Sequence, residues 1–96
     1  MESLNTILSI ILKNKPVLLK KYPIKSIGIF GSVALGDFNE LSDVDILVEF
    51  DKPVGIEFIN LANELESILR HKVDLISRSG IKPKYLKMIE KDLHYV

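Results

Sequence analysis

A chain of 96 residues with 47% hydrophobic and 27% charged residues has the size and composition of one ordinary globular domain, so we expect a single domain over residues 1–96. Thirteen basic residues balance thirteen acidic ones, and this formal net charge of zero gives no support for broad electrostatic binding to nucleic acid or to an anionic membrane. The absence of cysteine excludes disulfides and thiolate metal sites. No signal pattern or membrane-length apolar run is present, so we expect a cytoplasmic protein.

The first part of the chain predicts two helices followed by a strand. Apolar residues recur at helical spacing over residues 4–12, and a break at residues 14–16 predicts that this first helix ends there. Pro16 suits the first turn of a second short helix that reaches Tyr22, because the N–H that proline lacks would have no helical partner at that position. Residues 25–30 are β-branched and aromatic and lie between a proline and a glycine, which is typical of a strand.

The middle of the chain predicts a tight turn, a loop and a second strand. Gly31 permits a sharp turn into a short helix that begins near Ser32 and that Gly36 closes. A polar loop over residues 37–42 then leads into a strand predicted for Asp43 to Phe50.

The last part of the chain predicts a helix, a strand and a helix. Apolar residues at helical spacing predict a helix over residues 56–70, and residues 72–77 alternate as a third strand. A turn at residues 79–80 precedes a last helix over residues 83–90, and the tail at residues 93–96 fits either a helix end or a short edge strand. This order predicts an α/β (α+β) fold in which a small mixed sheet has helices packed on one face.

Two carboxylates lie two residues apart at the start of the second predicted strand. Because side chains alternate along a strand, Asp43 and Asp45 share one face, with Cα atoms roughly 6.6 Å apart. Carboxylates about 4 Å apart repel by about 4 kcal/mol at an effective dielectric constant near 20, so the pair suggests a bound cation or a shared proton. Asp74 joins that face if the second and third strands are neighbours. Gly31-Ser32 or Asp43 alone also fits a plain turn, whereas a carboxylate within an apolar strand is costly unless it is paired.

One pattern of residues resembles a known family. Gly31-Ser32, followed after ten residues by Asp43-x-Asp45 and with Asp74 in a later strand, resembles the polymerase-β-type nucleotidyltransferase superfamily. The length and the flanking pattern resemble its minimal nucleotidyltransferase (MNT) family, whose members are found as antitoxin partners of HEPN-domain ribonuclease toxins. The resemblance implies a polymerase-β-like nucleotidyltransferase fold.

The resemblance also implies roles for these residues. Asp43, Asp45 and Asp74 would be the catalytic carboxylates and would ligate Mg²⁺, with Asp74 helping to deprotonate the attacking hydroxyl. Gly31 and Ser32 would bind the β and γ phosphates of the nucleotide. The reaction implied is in-line attack on the α-phosphorus, with pyrophosphate as the leaving group.

The function implied by the resemblance is that of a protein adenylyltransferase. It would transfer AMP from ATP to a hydroxyl of a HEPN toxin, a tyrosine in this reading, and so act as the antitoxin of a type VII-like toxin-antitoxin pair. The alternative is a binding module of the same fold, with weak or no catalysis, that neutralises the toxin by forming a complex. Both hypotheses allow a homo- or hetero-oligomer, and neither requires a membrane or direct binding of nucleic acid.

One position departs from the family pattern. Many members carry an arginine where this chain has Leu35, so a phosphate contact is missing, which favours the binding-module alternative. Lys72, on the predicted face of Asp74, or Lys25 could supply a positive charge instead. A solvated surface lysine is the competing interpretation of each.

Overall fold

The computed structural model describes residues 3–37 and 42–96, which form four α-helices and four β-strands. The predicted strands and the helices after the first strand are all present, with ends shifted by at most one residue. The predicted loop at residues 37–42 lies largely outside the described residues. In chain order the elements are α1 (Leu4–Lys21), β1 (Ile24–Phe30), α2 (Ser32–Leu35), β2 (Val44–Phe50), α3 (Ile56–Leu69), β3 (Val73–Ser77), a 3-10 turn (Arg78–Gly80), α4 (Pro83–Glu90) and β4 (His94–Tyr95).

The strands form one mixed sheet in the order β3-β2-β1-β4. β2 and β3 are parallel and are joined through α3, whereas β1 is antiparallel to both β2 and β4. The predicted mixed sheet is therefore confirmed. The tail forms a short edge strand, which was one of its two predicted conformations.

One face of the sheet is covered by α1 and α3. The strand residues on this face include Val44, Ile46 and Val48, which are completely buried, as predicted. Leu75 of β3 is also buried, and Val73 is partly buried against the same core. The helices complete this core with one apolar side each, formed by Ile7, Ile11, Leu18, Leu61, Leu65 and Leu69.

The predicted break in the first helix is wrong, because α1 continues through Pro16 to Lys21. Proline removes one backbone hydrogen bond from a helix interior and costs about 3 kcal/mol. Continuing the helix places Leu18, which is 1% exposed, in the same core as Ile11, and burying such a side chain contributes about 1.5–3 kcal/mol. The side chain of Asn14 also donates a 2.8 Å hydrogen bond to the carbonyl of Ile10. Burial of Leu18 and the Asn14 hydrogen bond together contribute about as much as the proline costs, so the helix continues through Pro16.

The second face of the sheet is partly covered by the C-terminal segment. Gly28 of β1 pairs with Leu47 of β2, so both lie on the face that also carries Asp45. Leu47 is 3% exposed, and a Cβ atom at Gly28 would lie 2.7 Å from Cδ1 of Leu93. Leu93 therefore lies over the apolar part of this face.

None of the helices within residues 3–37 and 42–96 combines the length and the apolar character that crossing a membrane requires.

Candidate active site

Two of the predicted carboxylates are neighbours in the parallel part of the sheet. The register of β2 and β3 pairs Asp45 with Asp74 and Ile46 with Leu75. Paired residues on adjacent strands point to the same face, so both carboxylates lie on the face opposite the helix-covered core. Asp45 is partly buried, whereas Asp74 is exposed.

The charge environment of Asp45 shows that the carboxylates interact. Burial, followed by repulsion from Asp74 and then from Asp43, raises the pKa of Asp45 to about 6. Asp43 precedes β2 by one residue and is exposed. The three predicted aspartates therefore form one electrostatic neighbourhood. Among the described residues, no ion pair joins any of them to a basic side chain.

The carboxylates fit a hard cation in their chemistry, but they do not form a ready-made cage. In the described part of the chain, no group of three or more His, Cys, Asp or Glu side chains has the arrangement of a metal site. Mg²⁺ is commonly bound through one or two carboxylates together with substrate phosphates and water, so a complete protein cage is not required. The adjacent Asp45 and Asp74 meet that requirement, and the assignment of the metal ligands stays a prediction.

Gly31 forms the turn that brings α2 against Asp45. Its backbone has φ 74° and ψ −147°, a conformation that side chains rarely adopt. A Cβ atom built on Gly31 would overlap the carboxylate oxygen Oδ2 of Asp45. The predicted sharp turn is confirmed. The close approach of the Asp45 carboxylate was not predicted, because it depends on the register that pairs Asp45 with Phe30.

Ser32 is the first residue of α2 and is partly buried. Val33, which is 1% exposed, anchors this helix in the core, and Gly36 ends it in a left-handed conformation with φ 81°. Leu35 points away from the core and is 59% exposed. The position of Ser32 beside the Gly31 turn is as predicted, and its role in binding phosphate stays a prediction.

The two lysines considered as sources of positive charge lie in different places. The carbonyl of Lys72 accepts a 2.9 Å hydrogen bond from the N–H of Val44, so Lys72 directly adjoins the start of β2. Lys25 lies at the start of β1, and its Nζ is 3.9 Å from the carboxylate of Glu49.

Comparison with known proteins gives one consistent result. The nucleotidyltransferase domain family matches residues 11–96. A predicted protein adenylyltransferase of Methanocaldococcus jannaschii is 47% identical over 100 residues, which span the whole of both chains. The protein adenylyltransferase MntA of Thermococcus cleftensis is 38% identical over 97 residues, covering 100% of this chain and 98% of its own length.

Solved structures share the fold. A predicted minimal nucleotidyltransferase superposes with a TM-score of 0.83 at 26% identity, over 97% of this chain and 95% of its own. An MNT antitoxin solved in complex with the tri-AMPylated HEPN toxin of Shewanella oneidensis superposes with a TM-score of 0.61 at 22% identity, over 96% of this chain and 66% of that chain. The resemblance drawn from Gly31-Ser32 and the aspartates is confirmed, and the chain belongs to the nucleotidyltransferase domain family, as a nucleotidyltransferase of its minimal type.

Proposed function

We propose that this chain transfers AMP from ATP, with Mg²⁺, to a tyrosine hydroxyl of a HEPN-domain toxin and acts as its antitoxin. The observation that carries this proposal is the pairing of Asp45 with Asp74 on the face where the Asp45 carboxylate meets the Gly31 turn. That arrangement places two carboxylates beside a backbone turn whose central residue, Gly31, has no side chain. The names of the M. jannaschii and T. cleftensis relatives support adenylyl transfer to protein. The S. oneidensis complex supports the class of partner.

Asp43, Asp45 and Asp74 would hold the Mg²⁺, which neutralises phosphate charge and polarises the phosphoryl oxygens when it is bound. Gly31, which lacks a side chain, leaves the backbone accessible to the phosphates, and Ser32 adds a hydroxyl donor. Asp74 would accept the proton of the attacking hydroxyl. The new bond joins that oxygen to the α-phosphorus as the bond to pyrophosphate breaks.

The exposure of the site suits a macromolecular acceptor. Asp43 and Asp74 are both exposed, so a hydroxyl on the surface of another protein can reach them without entering a deep cleft. Asp45 is the more deeply placed of the three, beside the Gly31 turn. This depth difference favours nucleotide bound against Asp45 and the acceptor approaching over Asp74.

One observation favours a second candidate function, in which the chain neutralises the toxin by binding alone. Leu35 is apolar and 59% exposed, and it ends the short helix α2 that follows the Gly31 turn. No basic residue occurs in that helix. The triphosphate would therefore receive no positive charge from α2.

The test is transfer of α-phosphate label from ATP, with Mg²⁺, to a HEPN-domain protein of the same organism co-purified with this chain. We expect label on the HEPN protein with wild type and with Glu49→Gln, a matched carboxylate change on the same face of β2. Label should be absent with the double change Asp43→Asn and Asp45→Asn. If wild type silences the HEPN ribonuclease while transferring no label, the enzyme hypothesis fails and the binding module stands.

A further inference from the structure

We propose that Lys72 is a nucleotide-binding residue of this site and that its ammonium group contacts the phosphates of ATP. This inference rests on the proposed function, because it concerns the same nucleotide. Its basis is the position of Lys72 in the sheet, its lack of a side-chain partner and the distribution of positive charge around the carboxylates.

The backbone places Lys72 at the edge of the carboxylate group. The register pairs Val44 with Val73 and Asp45 with Asp74, and the hydrogen bond from the N–H of Val44 to the carbonyl of Lys72 belongs to the first of these pairs. Asp43 and Lys72 each directly precede one member of that pair. Lys72 therefore lies beside Asp43, at the same end of the sheet as the Gly31 turn.

Alternation along the chain sets the direction of the Lys72 side chain. Val73 packs against the core on the helix-covered side. The residues on either side of Val73, Lys72 and Asp74, are both exposed and belong to the opposite face. Lys72 precedes β3 by one residue, and continued alternation starts its side chain on the carboxylate face, from which its flexible stem lets the ammonium group reach a bound nucleotide.

The negative charge of the site favours a positively charged side chain of the protein near the phosphates. Three aspartates and a triphosphate carry negative charge that one divalent ion only partly offsets. α2 has no basic residue, and Leu35 contributes none. Within the described ranges, the Lys72 side chain forms no hydrogen bond and no ion pair, so its charge is available to a ligand.

Two other basic residues are less well placed. Lys25 is paired with Glu49, and Ile24 beside it pairs with Phe50, whereas Asp45 pairs with Phe30 at the other end of β1. Lys25 lies five positions before Phe30 along β1, a distance of about 17 Å. Arg70 precedes Lys72 by two residues and caps the C-terminus of α3, before the β3 ladder begins.

The experiment measures the dissociation constant of ATP with Mg²⁺, in wild type and in single variants, by calorimetry on the purified chain. We expect Lys72→Ala to weaken ATP binding about tenfold or more, because a charge-assisted contact to phosphate is lost. Lys72→Arg should restore affinity to within about threefold of wild type. Lys25→Ala and Arg70→Ala, the matched controls, should stay within about twofold.

A second readout separates phosphate binding from a structural role. The melting temperature of Lys72→Ala without nucleotide should match that of wild type, because the side chain is exposed. The affinity difference should shrink at high salt, because salt screens exposed charges.

Each outcome decides between the two proposals. If wild type binds ATP and Lys72→Ala binds it within twofold of wild type, the Lys72 assignment fails alone. The same follows if Arg70→Ala causes the larger loss. If wild type binds no ATP with Mg²⁺, the Lys72 assignment and the proposed transfer fail together. If the chain binds ATP through Lys72 but transfers no label to the HEPN protein, the Lys72 assignment stands and only the proposed catalysis fails.

Discussion

The two faces of β2 differ in charge over the same seven residues, because only the face opposite the helices carries carboxylates, next to the buried Leu47. On the helix-covered face, Val44, Ile46 and Val48 are completely buried and apolar. On the other face, Asp45 is partly buried beside another carboxylate, and its pKa is raised because that position disfavours its charged form. One strand therefore stabilises the fold on one side and holds destabilising charges on the other. Alternation keeps the two requirements separate.

The largest expected effect comes from breaking the apolar face. Ile46→Ala should lower the free energy of unfolding by about 2–5 kcal/mol, because it leaves a cavity in the core between the sheet and the two helices α1 and α3. Urea denaturation of the purified protein measures this loss. Glu49→Ala, on the opposite face of the same strand, removes a 3.9 Å ion pair with Lys25 and a 3.4 Å hydrogen bond from Ser26, and should cost about 1 kcal/mol. Equal losses from the two changes would contradict the division between the faces.

A change at the Gly31 turn should impair ATP binding more than it lowers the stability of the fold. Gly31→Ala introduces a side chain at φ 74° and against the Asp45 carboxylate, so we expect a loss of about 1–3 kcal/mol in stability together with loss of ATP binding. Gly36→Ala is the matched control, since it has φ 81° but no atom within 4 Å of the added Cβ. Calorimetric titration with ATP should show binding by Gly36→Ala and none by Gly31→Ala. If both variants still bind ATP, the close approach of Gly31 to the Asp45 carboxylate is not needed for nucleotide binding.

Replacing the Asp45 carboxylate with a neutral amide should raise the stability of the fold while it abolishes stabilisation by Mg²⁺ with ATP. The pKa of Asp45 rises from 3.8 to about 6 in the folded protein. The folded state therefore binds more protons than the unfolded state between these values, and stability falls as pH rises through that window. Asp45→Asn escapes this loss. At pH 7 without divalent ions it should be more stable than wild type by about 1 kcal/mol, a figure discounted for partial exposure.

The Asp45→Asn comparison is made by thermal unfolding at pH 4 and pH 7, with and without Mg²⁺. The advantage of the variant should shrink toward pH 4, where both proteins carry a neutral group. Added Mg²⁺ with ATP should stabilise wild type and not the variant, because only wild type retains the full carboxylate group. An advantage that is constant with pH would show that ionisation of Asp45 is not its source.

The smallest expected effect on stability comes from Leu35→Arg, which adds charge to the polar face. The side chain is 59% exposed, so the free energy of unfolding should change by less than about 0.5 kcal/mol. ATP affinity should increase several-fold if the end of α2 faces the phosphates. Calorimetry detects that change, and Leu12→Arg, on an equally exposed leucine of α1, controls for added charge. An equal gain in both would indicate general electrostatic attraction.

The sequence predicts well which face of the sheet each strand residue occupies, but it does not predict which residues of neighbouring strands are paired. Alternation alone placed Asp43 and Asp45 opposite Val44 and Ile46, and glycine alone marked the turn at Gly31. It could not show that Asp74 pairs with Asp45, because strand order and register depend on contacts between residues far apart in the chain. The same limit hid the difference between Lys72 and Lys25 and left the tail with two alternatives.

The error at Pro16 has a different cause. A local rule predicted a helix break, but burial of Leu18 in the shared core decided the conformation. The residue patterns around Gly31 and the aspartates are short-range, and so the turn and the shared face were predicted more accurately than the first helix. The catalytic and nucleotide-binding roles of these residues stay predictions. The metal ligands, the role of Ser32 and the single-domain organisation stay predictions.

The position of β3 at the edge of the sheet gives Asp74 a second consequence. In the described part of the chain, no strand pairs with the outer side of β3, and open edges invite strand addition from other molecules, which leads to aggregation. A charged side chain on that edge opposes such association. A variant such as Asp74→Val, made to silence catalysis, would also remove this protection, so poor recovery of soluble protein should not be taken as failure to fold. Asp74→Lys would keep the edge charged while still removing the carboxylate.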